Sequence, residues 1–378
     1  MDFNFTEEQA MLQKMVREFA EKEIKPIAAE IDREHRFPAE TVKRMAELDL
    51  FGLAVPEEYG GTGVDTLAAA IAYEELARVD SSHSILLSVH GMAIKPILYF
   101  GSEEQKKKWL PDLASGKKLG SFALTEPGAG TDAASQASRG VRDGDHFVIN
   151  GSKVFITNGG YAETFVIFVM TQPEKKLKGI TAFIVDKNTP GFSVGQTEEK
   201  LGICASSTTE IIFKDMRVPA ENMIGEEGQG FGIAMRALDA GRIGVAAQAI
   251  GIGQGAIEAT INYVKERQQF GKPIAANQGI QWMIAEMATR LEGARLLTYK
   301  AAIANDQKGR HSIDSAMAKL SAASMAMDVA TKAIQLHGGI GYTKNYPVER
   351  FFRDAKITEI YEGTSEVMKM VIAGTLLA

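Results

Sequence analysis

The 378-residue sequence predicts an α+β multidomain protein, with an N-terminal helical domain, a middle antiparallel β-barrel or sandwich and a C-terminal helical bundle. The prediction depends on two changes in the hydrophobic pattern. Apolar residues recur at helical spacing up to about residue 120, alternate at strand spacing to about residue 228, and return to helical spacing afterwards. We therefore expect domains at residues 1–120, 121–228 and 229–378.

The N-terminal domain begins with a helix signal at Thr6. Gln9 follows Thr6 at the spacing of a capping box, and apolar residues then recur every three or four positions up to Phe19. Pro26 interrupts that pattern. Further helical patterns, each bounded by glycine, proline or a capping serine, are AETVKRMAELDLFGL, TLAAAIAYEELARVD and SEEQKKKWLPDLASG.

The middle domain is predicted from strand-length segments with alternating polarity. HFVINGSKVFIT contains two such runs around Asn150-Gly151, a dipeptide typical of two-residue β-hairpins. The segments TFVIFVM, GITAFIVD, GFSVGQ and EIIFKDMRVP follow, with Gly, Pro or Asn between them. We expect a compact antiparallel domain whose first hairpin turns at Asn150-Gly151.

The C-terminal domain returns to helical spacing after EEGQGF. One long pattern starts at GFGIAMRAL, and three more cover residues 277–306, 312–337 and 347–374. Long amphipathic helices joined by short loops predict a bundle. Ligand pockets form preferentially at domain interfaces, so functional motifs should cluster at the clefts beside the sheet domain.

Composition excludes several classes of function. A net charge of −6 and a pI near 5.7 leave no basic surface for nucleic acid. Cys204 is the single cysteine, and the six histidines lack metal-ligand spacing, so we expect no metal and a reducing, cytoplasmic location. The segment MDFNFTEEQ lacks a basic region followed by an apolar one, so we expect no secretion signal, and no apolar run reaches the ~18 residues of a membrane span.

The segment GIGQGA, residues 251–256, matches the G-x-G-x-x-[GA] fingerprint of dinucleotide-binding folds. That fingerprint requires a preceding strand within a βαβ unit, whereas here helical spacing continues on both sides. We interpret these small residues as sites of close helix packing. The sequence therefore predicts no nicotinamide site.

Two segments of the middle domain have a functional and a structural interpretation. In LTEPGAGTD, residues 124–132, closely spaced glycines would let backbone N–H groups approach a diphosphate, but composition alone favours a simple Pro-Gly turn between two strands. In KVFITNGG, Phe155 and Thr157 share one face of a strand and could flank a flat heteroaromatic ring. Ordinary core and surface positions are the alternative.

Three segments of the bundle carry similar alternatives. In RQQFGKPI, Arg267 either complements a helix C-terminus or binds a phosphate. In LDAGR, Asp239 and Arg242 have the spacing of an i,i+3 ion pair. In QLHGGIGY, Gly338 either caps a helix or admits a ligand or a neighbouring chain, and His337 is better explained as structural than as an acid or base.

The segment YEGTSE, residues 361–366, places one glutamate between an aromatic residue and a glycine. In the structural interpretation Gly363 ends one helix, Thr364 or Ser365 caps the next, and Glu362 is solvated. In the functional interpretation Glu362 is a base aimed into a cleft. Taken alone, the segment favours the structural interpretation.

Taken together, the motifs resemble the acyl-CoA dehydrogenase family in content, order and spacing, over essentially the whole chain. The similarity is greatest to the bacterial short-chain, butyryl-CoA branch. The motifs that carry it are LTEPGAGTD, GSKVFITNGG, EKLGICASSTTEIIF, VPAENMIGEEGQGF, RQQFGKPI and QLHGGIGYTKNYPVERFFRDAKITEIYEGTSE. The resemblance implies a helical domain, a middle β-barrel and a C-terminal four-helix bundle.

The resemblance also implies a bound FAD. Contacts from one subunit are implied at Phe122, Leu124, Thr125, Gly130, Thr131, Phe155, Ile156, Thr157, Thr364, Ser365 and Glu366. Other contacts belong to a site completed across a subunit interface, which implies a homo-oligomer and most simply a tetramer; they are Arg267, Phe270, Gln278, Gln335, Gly338 and Gly339.

For the substrate, the resemblance implies contacts of the acyl-CoA thioester with Thr131, Asp239, Arg242, Tyr361 and Gly363. Removing hydrogen from Cα and Cβ requires a base, a hydride acceptor and a donor to the enolate oxygen. The family pattern assigns these to Glu362, to flavin N5, and to the Glu362 N–H with a flavin ribityl hydroxyl. Burial beside Tyr361 should raise the pKa of Glu362, and Gly363 should allow the turn that aims it.

Two positions depart from relatives in the family. Phe155 stands where many carry tryptophan, which keeps an aromatic wall without the indole N–H. Gly241 stands where the isovaleryl and long-chain branches carry their base, which leaves Glu362 as the matching base.

The resemblance implies electron-transferring flavoprotein as the partner that reoxidises the flavin. Several alternatives stay open: another acyl group, with a pocket shaped by SILLSVHGMAIKPI and YEG; physiological enoyl-CoA reduction; an oxidase that uses oxygen; and a catalytically silent flavoprotein. No extra arginine is evident for a second substrate carboxylate.

Overall fold

The N-terminal part of the chain is helical, as its capping signals predict. The computed structural model describes residues 4–307 and 311–378. Thr6 and Gln9 form the predicted capping box, and a single π-turn, Ala20–Ile24, ends the first helix before Pro26. The helices are α1 Glu7–Phe19, α2 Ala28–Glu34, α3 Ala39–Glu47, α4 Thr66–Ala77, α5 Ser81–Phe100 and α6 Glu103–Ala114.

The middle part is an eight-stranded sheet. Its strands are β1 Gly120–Ala123, β2 Arg139–Asp143, β3 His146–Thr157, β4 Thr164–Met170, β5 Ile180–Asp186, β6 Phe192–Thr197, β7 Thr208–Pro219 and β8 Met223–Ile224. Their order is β6-β7-β3-β2-β4-β5-β8, and β1 pairs with β4. The β1–β4 pairing and the one-residue β2–β4 pairing are parallel, so the expectation of a purely antiparallel domain is wrong for these two pairs.

The hairpin predicted at Asn150-Gly151 is also wrong. Strand β3 runs straight through this dipeptide, with a bulge opposite β7, and the hairpin turns instead at Gly144 between β2 and β3. The Asn150 side chain donates to Asp215 Oδ1 at 3.1 Å and accepts from the Asp215 N–H at 2.8 Å. Gly151 is needed because a Cβ there would lie 2.3 Å from Ser138 Oγ. The dipeptide therefore serves a bulge rather than a turn.

The C-terminal part is a bundle built around one helix of 37 residues. The helices are α7 Gly230–Glu266, α8 Gln278–Asp306, α9 Ser312–His337, α10 Val348–Thr358 and α11 Ser365–Leu376, and the two-residue strands β9 Gln268–Gln269 and β10 Lys272–Pro273 link α7 to α8. The single helix predicted over residues 347–374 is interrupted between Thr358 and Ser365. The predicted class, two helical domains flanking a sheet domain, is confirmed.

The small residues of GIGQGA lie inside α7, which confirms the packing interpretation. A Cβ on Gly251 would lie 2.3 Å from the Glu74 carbonyl oxygen, and a Cβ on Gly255 would lie 2.2 Å from that of Arg78. Helix α4 therefore packs directly on the α7 backbone. None of the helices in the two described ranges combines the length and the hydropathy that crossing a bilayer would require.

Candidate active site

Glu362 lies in the connection between α10 and α11, which turns sharply into the protein. Glu362 and Gly363 both have left-handed backbone angles, with φ of 52° and 99°. Thr364 caps α11, because its hydroxyl accepts from the Val367 N–H at 3.3 Å. The capping role foreseen for Thr364 is present, but Glu362 points inward instead of into solvent.

The Glu362 carboxylate is buried against a glycine of the long bundle helix. Both of its oxygens are inaccessible to solvent, and among residues 4–307 and 311–378 neither has a hydrogen-bond partner. A Cβ on Gly241 would lie 2.2 Å from Glu362 Oε2 and 2.8 Å from Met92 Sδ. The absence of a side chain at position 241 therefore creates the space that the carboxylate occupies.

Burial raises the pKa of Glu362 from its ordinary value of 4.5 to about 7. The positive charges of Lys319, Lys95 and Arg242 act in the opposite direction but do not outweigh the loss of water. A carboxyl group that titrates near neutrality, with no internal partner, is suited to accept a proton from a bound molecule.

The side chains beside Glu362 are held by hydrogen bonds. Arg242 pairs with Asp239 at 2.7 Å, as the i,i+3 spacing predicts, and its Nε lies 3.5 Å from the Glu362 carbonyl oxygen. The Tyr361 hydroxyl donates to Gln248 Oε1, and the Gln248 amide in turn donates to Ser81 Oγ at 2.7 Å. Asp239, Arg242, Tyr361 and Glu362 are thus brought together.

One apolar cluster joins this site to the sheet domain. It contains Met92 of α5 together with Phe122 and Leu124, which are 7% and 8% exposed, and Tyr361 packs against it. The loop that follows Leu124 is therefore anchored beside the segment that carries Glu362.

The LTEPGAGTD loop is fixed by a buried ion pair. Lys153 Nζ, which is fully buried, donates to Glu126 Oε1 at 2.7 Å and to the Leu124 carbonyl oxygen at 3.1 Å. Glu126 also accepts from the Ala137 N–H at 2.5 Å. The Pro-Gly turn is present too, since Glu126 and Ala129 exchange backbone hydrogen bonds.

The tip of this loop leaves its backbone accessible. Nothing lies within 4 Å of a Cβ placed on Gly128 or Gly130, and Thr131 is exposed. On the neighbouring strand Phe155 is 63% exposed at φ 59°, whereas Ile156 is buried and Thr157 is intermediate. A bulge between Lys153 and Ile156 breaks the alternation and turns Phe155 outward.

A second group of predicted residues lies at the far end of the bundle. Arg267 is 25 residues beyond Arg242 along α7, or roughly 38 Å along a helix axis at ~1.5 Å per residue. Tyr263 stacks on His337 at 4.3 Å, which brings the ends of α7 and α9 together. The predicted residues at this end are all exposed: Arg267, Phe270, Gln278, Gln335, Gly338 and Gly339.

His337 has the structural role that the sequence favours. Its Nδ1 lies 2.8 Å from the Ala333 carbonyl oxygen, and its ring is stacked on Tyr263 and flanked by Tyr346. Gly338 caps α9 at φ 67°.

The described residues fit a flavin with an adenine dinucleotide tail. An exposed aromatic ring, open glycine backbone and hydroxyl side chains suit a flat ring system and a diphosphate, and the apolar cluster of Met92, Phe122 and Leu124 links their loop to Tyr361, next to the unpartnered buried carboxylate. Glu366 and the partly buried Ser365 start α11 next to this carboxylate.

Sequence reasoning missed three side chains that the fold brings to this site: Lys319 from α9 and Lys95 from α5, whose charges act on Glu362, and Gln248 from α7, which accepts from the Tyr361 hydroxyl. Lys319 is 1% exposed, within an alanine-rich helix. A lysine within the apolar run AMAKLSAASMAM was the available signal, because lysine is almost never fully buried unless paired.

Family models match three successive parts of the chain: the acyl-CoA dehydrogenase N-terminal domain at residues 6–117, the middle domain at 121–216 and the C-terminal domain at 228–377. A short-chain specific acyl-CoA dehydrogenase of Clostridium acetobutylicum is 57% identical over 377 residues, covering 100% of both chains.

Two solved structures have nearly the same fold over 100% of both chains, each with a TM-score of 0.99. One is the butyryl-CoA dehydrogenase of Megasphaera elsdenii, 47% identical. The other, 49% identical, belongs to a study of the electron transferring flavoprotein of Acidaminococcus fermentans and flavin-based electron bifurcation. This chain belongs to the acyl-CoA dehydrogenase family.

Proposed function

We propose that this chain, with FAD bound, removes one hydrogen from Cα and one from Cβ of a short-chain acyl-CoA and yields the trans-2-enoyl-CoA. The observation that carries the proposal is the Glu362 carboxylate, buried, unpartnered within the described residues and with a pKa of about 7. The similarity to the Clostridium and Megasphaera enzymes supports a short acyl chain such as butyryl.

Glu362 takes the α proton of the bound thioester. Because neither of its oxygens accepts a hydrogen bond from the residues that the structure describes, the carboxylate gains a proton without first breaking such a bond. Gly241 and Met92 border it, and they exclude water from the side away from the substrate. Holding the base in contact with the thioester makes the transfer effectively intramolecular.

The backbone N–H of Glu362 is available as the donor to the thioester oxygen. Within residues 4–307 and 311–378 it donates to no acceptor. One preorganised donor of this kind contributes on the order of 10²–10³ in rate. Arg242 and Asp239, paired at 2.7 Å beside the same segment, orient the CoA thioester.

When bound, FAD supplies the acceptor for the β hydride, which no protein side chain can provide. In this proposal the chain holds it through the Phe122–Thr131 loop, through Phe155 to Thr157 and through Thr364 to Glu366. The exposed residues at the far end of the bundle, where Arg267 lies roughly 38 Å from Arg242 along α7, would complete the site of a second copy, so we propose a homo-oligomer, most simply a tetramer.

The reduced flavin needs a partner that removes its electrons. We propose electron-transferring flavoprotein as that partner. The related structure from the Acidaminococcus study, which concerns such a flavoprotein, supports this choice.

The test is an anaerobic titration of the holoenzyme with butyryl-CoA, followed by flavin absorbance. We expect bleaching in the natural protein and none on the same time scale in Glu362→Gln, although that variant keeps its FAD. Glu359→Gln is the matched control, because Glu359 pairs with Lys356 at 2.7 Å near the surface and should leave bleaching intact. Rapid bleaching in Glu362→Gln, or no bleaching of the natural protein by any acyl-CoA of graded length, would overturn the proposal.

A further inference from the structure

Lys319 is a buried ammonium group that the proton transfer itself does not use. It lies in the middle of α9, 1% exposed, and among residues 4–307 and 311–378 it forms no ion pair. Its Nζ instead donates to the carbonyl oxygen of Gly363. Burying a charged group against a neutral acceptor is unfavourable, so the burial of the Lys319 ammonium group requires an explanation.

The acceptor of that hydrogen bond belongs to the strained turn that aims Glu362. A non-glycine residue at positive φ is unfavourable, and Glu362 holds a φ of 52° directly before Gly363 at 99°. The carbonyl of Gly363 points to Lys319 on α9, while the carbonyl of Glu362 faces Arg242 Nε on α7 at 3.5 Å. Cations on two bundle helices therefore hold two consecutive carbonyls.

The same lysine acts electrostatically on the carboxylate. The charged groups that face Glu362 are Lys319 of α9, Lys95 of α5 and Arg242 of α7, and all three lower its pKa against the effect of burial. Tyr73 of α4 and the adjacent Tyr361 are ionisable neighbours whose own pKa values are raised by burial and, to a smaller extent, by Glu362.

Lys319 is faced in turn by several charges of its own. The pKa of Lys319 is lowered to about 8, because burial and the positive charge of Arg242 outweigh the negative charges of Glu362, Glu359 and Glu366. Of the cations that face Glu362, Lys319 and Arg242 also contact the backbone of its turn.

We propose that Lys319 is a positioning residue for the catalytic base: its hydrogen bond to the Gly363 carbonyl holds the left-handed turn that places the Glu362 carboxylate beside Gly241. This inference rests on the proposed function for the role of Glu362. It predicts that Lys319 affects both the maximum rate and the pH at which the base becomes active.

The test compares Lys319→Met, Lys319→Gln and Lys95→Met holoenzymes with the natural protein. Flavin reduction by butyryl-CoA is followed from pH 5.5 to 9, and the protonation of Glu362 is followed without substrate by its carboxyl infrared band. Lys319→Met should lower the high-pH rate by about 10- to 100-fold, in the range expected for a misplaced group, and move both midpoints to higher pH.

The two further variants separate position from charge. Lys319→Gln keeps an N–H donor for Gly363 without the charge, so it should move the midpoints and retain more of the rate. Lys95→Met removes a charge that has no contact with Gly363, so it should move the midpoints with a smaller effect on the high-pH rate.

An infrared midpoint in Lys319→Met equal to that of the natural protein, together with an unchanged rate, would overturn the proposal. If Lys319→Met does not hold FAD, Lys319→Gln decides, and an unmoved midpoint in it has the same meaning. Because the infrared titration needs no substrate, it tests Lys319 even if butyryl-CoA fails to bleach the natural protein, a result that would count against the proposed function alone.

Discussion

Two buried carboxylates in this protein have opposite surroundings. Glu126 accepts hydrogen bonds from Lys153 and from the backbone of Ala137 and Ser138, and these partners hold its pKa below the ordinary value despite burial. Glu362 has no such partner among the described residues, and burial raises its pKa to about 7. The charge of Glu126 therefore holds a loop, whereas the carboxylate of Glu362 stays available for the proton transfer that we propose.

The two sites also differ in whether their backbone and side chains are held in favourable arrangements. The Lys153–Glu126 pair stabilises the loop, and the glycine backbone at the tip of this loop stays accessible. The loop is therefore fixed in position although its tip is uncovered. At Glu362 the backbone is left-handed and the carboxylate has no hydrogen-bond partner among the described residues, so both unfavourable features meet at the residue that we propose as the base.

The largest effect should come from breaking the ion pair between Lys153 and Glu126. Lys153→Met leaves Glu126 charged, buried and without its cation, which should lower the free energy of unfolding by about 3–5 kcal/mol. Urea unfolding of the holoenzyme measures this. The double variant Lys153→Met/Glu126→Gln should recover part of the loss, whereas a single variant within 1 kcal/mol of the natural protein would show that the two carboxylates do not differ as argued.

Removing the unpartnered charge of Glu362 should have the opposite effect and stabilise the protein, but only at high pH. In the unfolded chain Glu362 loses its proton near pH 4.5, whereas in the folded protein it keeps the proton to about pH 7. Folding therefore becomes less favourable as pH rises from 4.5 to 7, by up to about 3 kcal/mol for a rise in pKa of this size.

Glu362→Gln removes that penalty. Thermal unfolding of the holoenzyme at pH 8 should show a higher midpoint in Glu362→Gln than in the natural protein, and the two should converge near pH 4.5. A variant that is equally stable or less stable at pH 8 would mean that the folded carboxylate is not disfavoured.

A slightly smaller effect should follow from filling the space beside Glu362. Gly241→Ala adds a methyl group 2.2 Å from Oε2, which must displace the carboxylate and should slow flavin reduction by about 100-fold. Gly232→Ala is the matched control on the same helix, because nothing lies within 4 Å of its added Cβ. Equal rates in the two variants would remove the argument that Gly241 makes room for the base.

Much of the fold follows from local signals in the sequence. The Thr6–Gln9 capping box, the small residues of GIGQGA and the Asp239–Arg242 pair are local patterns, and each is confirmed. The hairpin predicted at Asn150-Gly151 was wrong because a local pattern cannot distinguish a turn from a bulge. The partner that decides between them, Asp215, is 65 residues away.

The site was predicted less completely, because the groups that surround it are also distant from one another in the sequence. The sequence places Glu362 between Tyr361 and Gly363, but the groups that set its proton affinity come from α5, α7 and α9. Lys319 and Lys95 are separated from Glu362 by 43 and 267 residues, so only the packed bundle brings them to it. The FAD and acyl-CoA contacts beyond this cluster stay predictions.

The most direct test of the central claim is an infrared difference titration of the Glu362 carboxyl group in the holoenzyme, with Glu362→Gln as the blank. A buried, unpartnered base should show a protonated-carboxyl band that disappears with a midpoint near pH 7 and is missing from the variant. A midpoint near 4.5, the ordinary value for a solvated glutamate, would contradict the account.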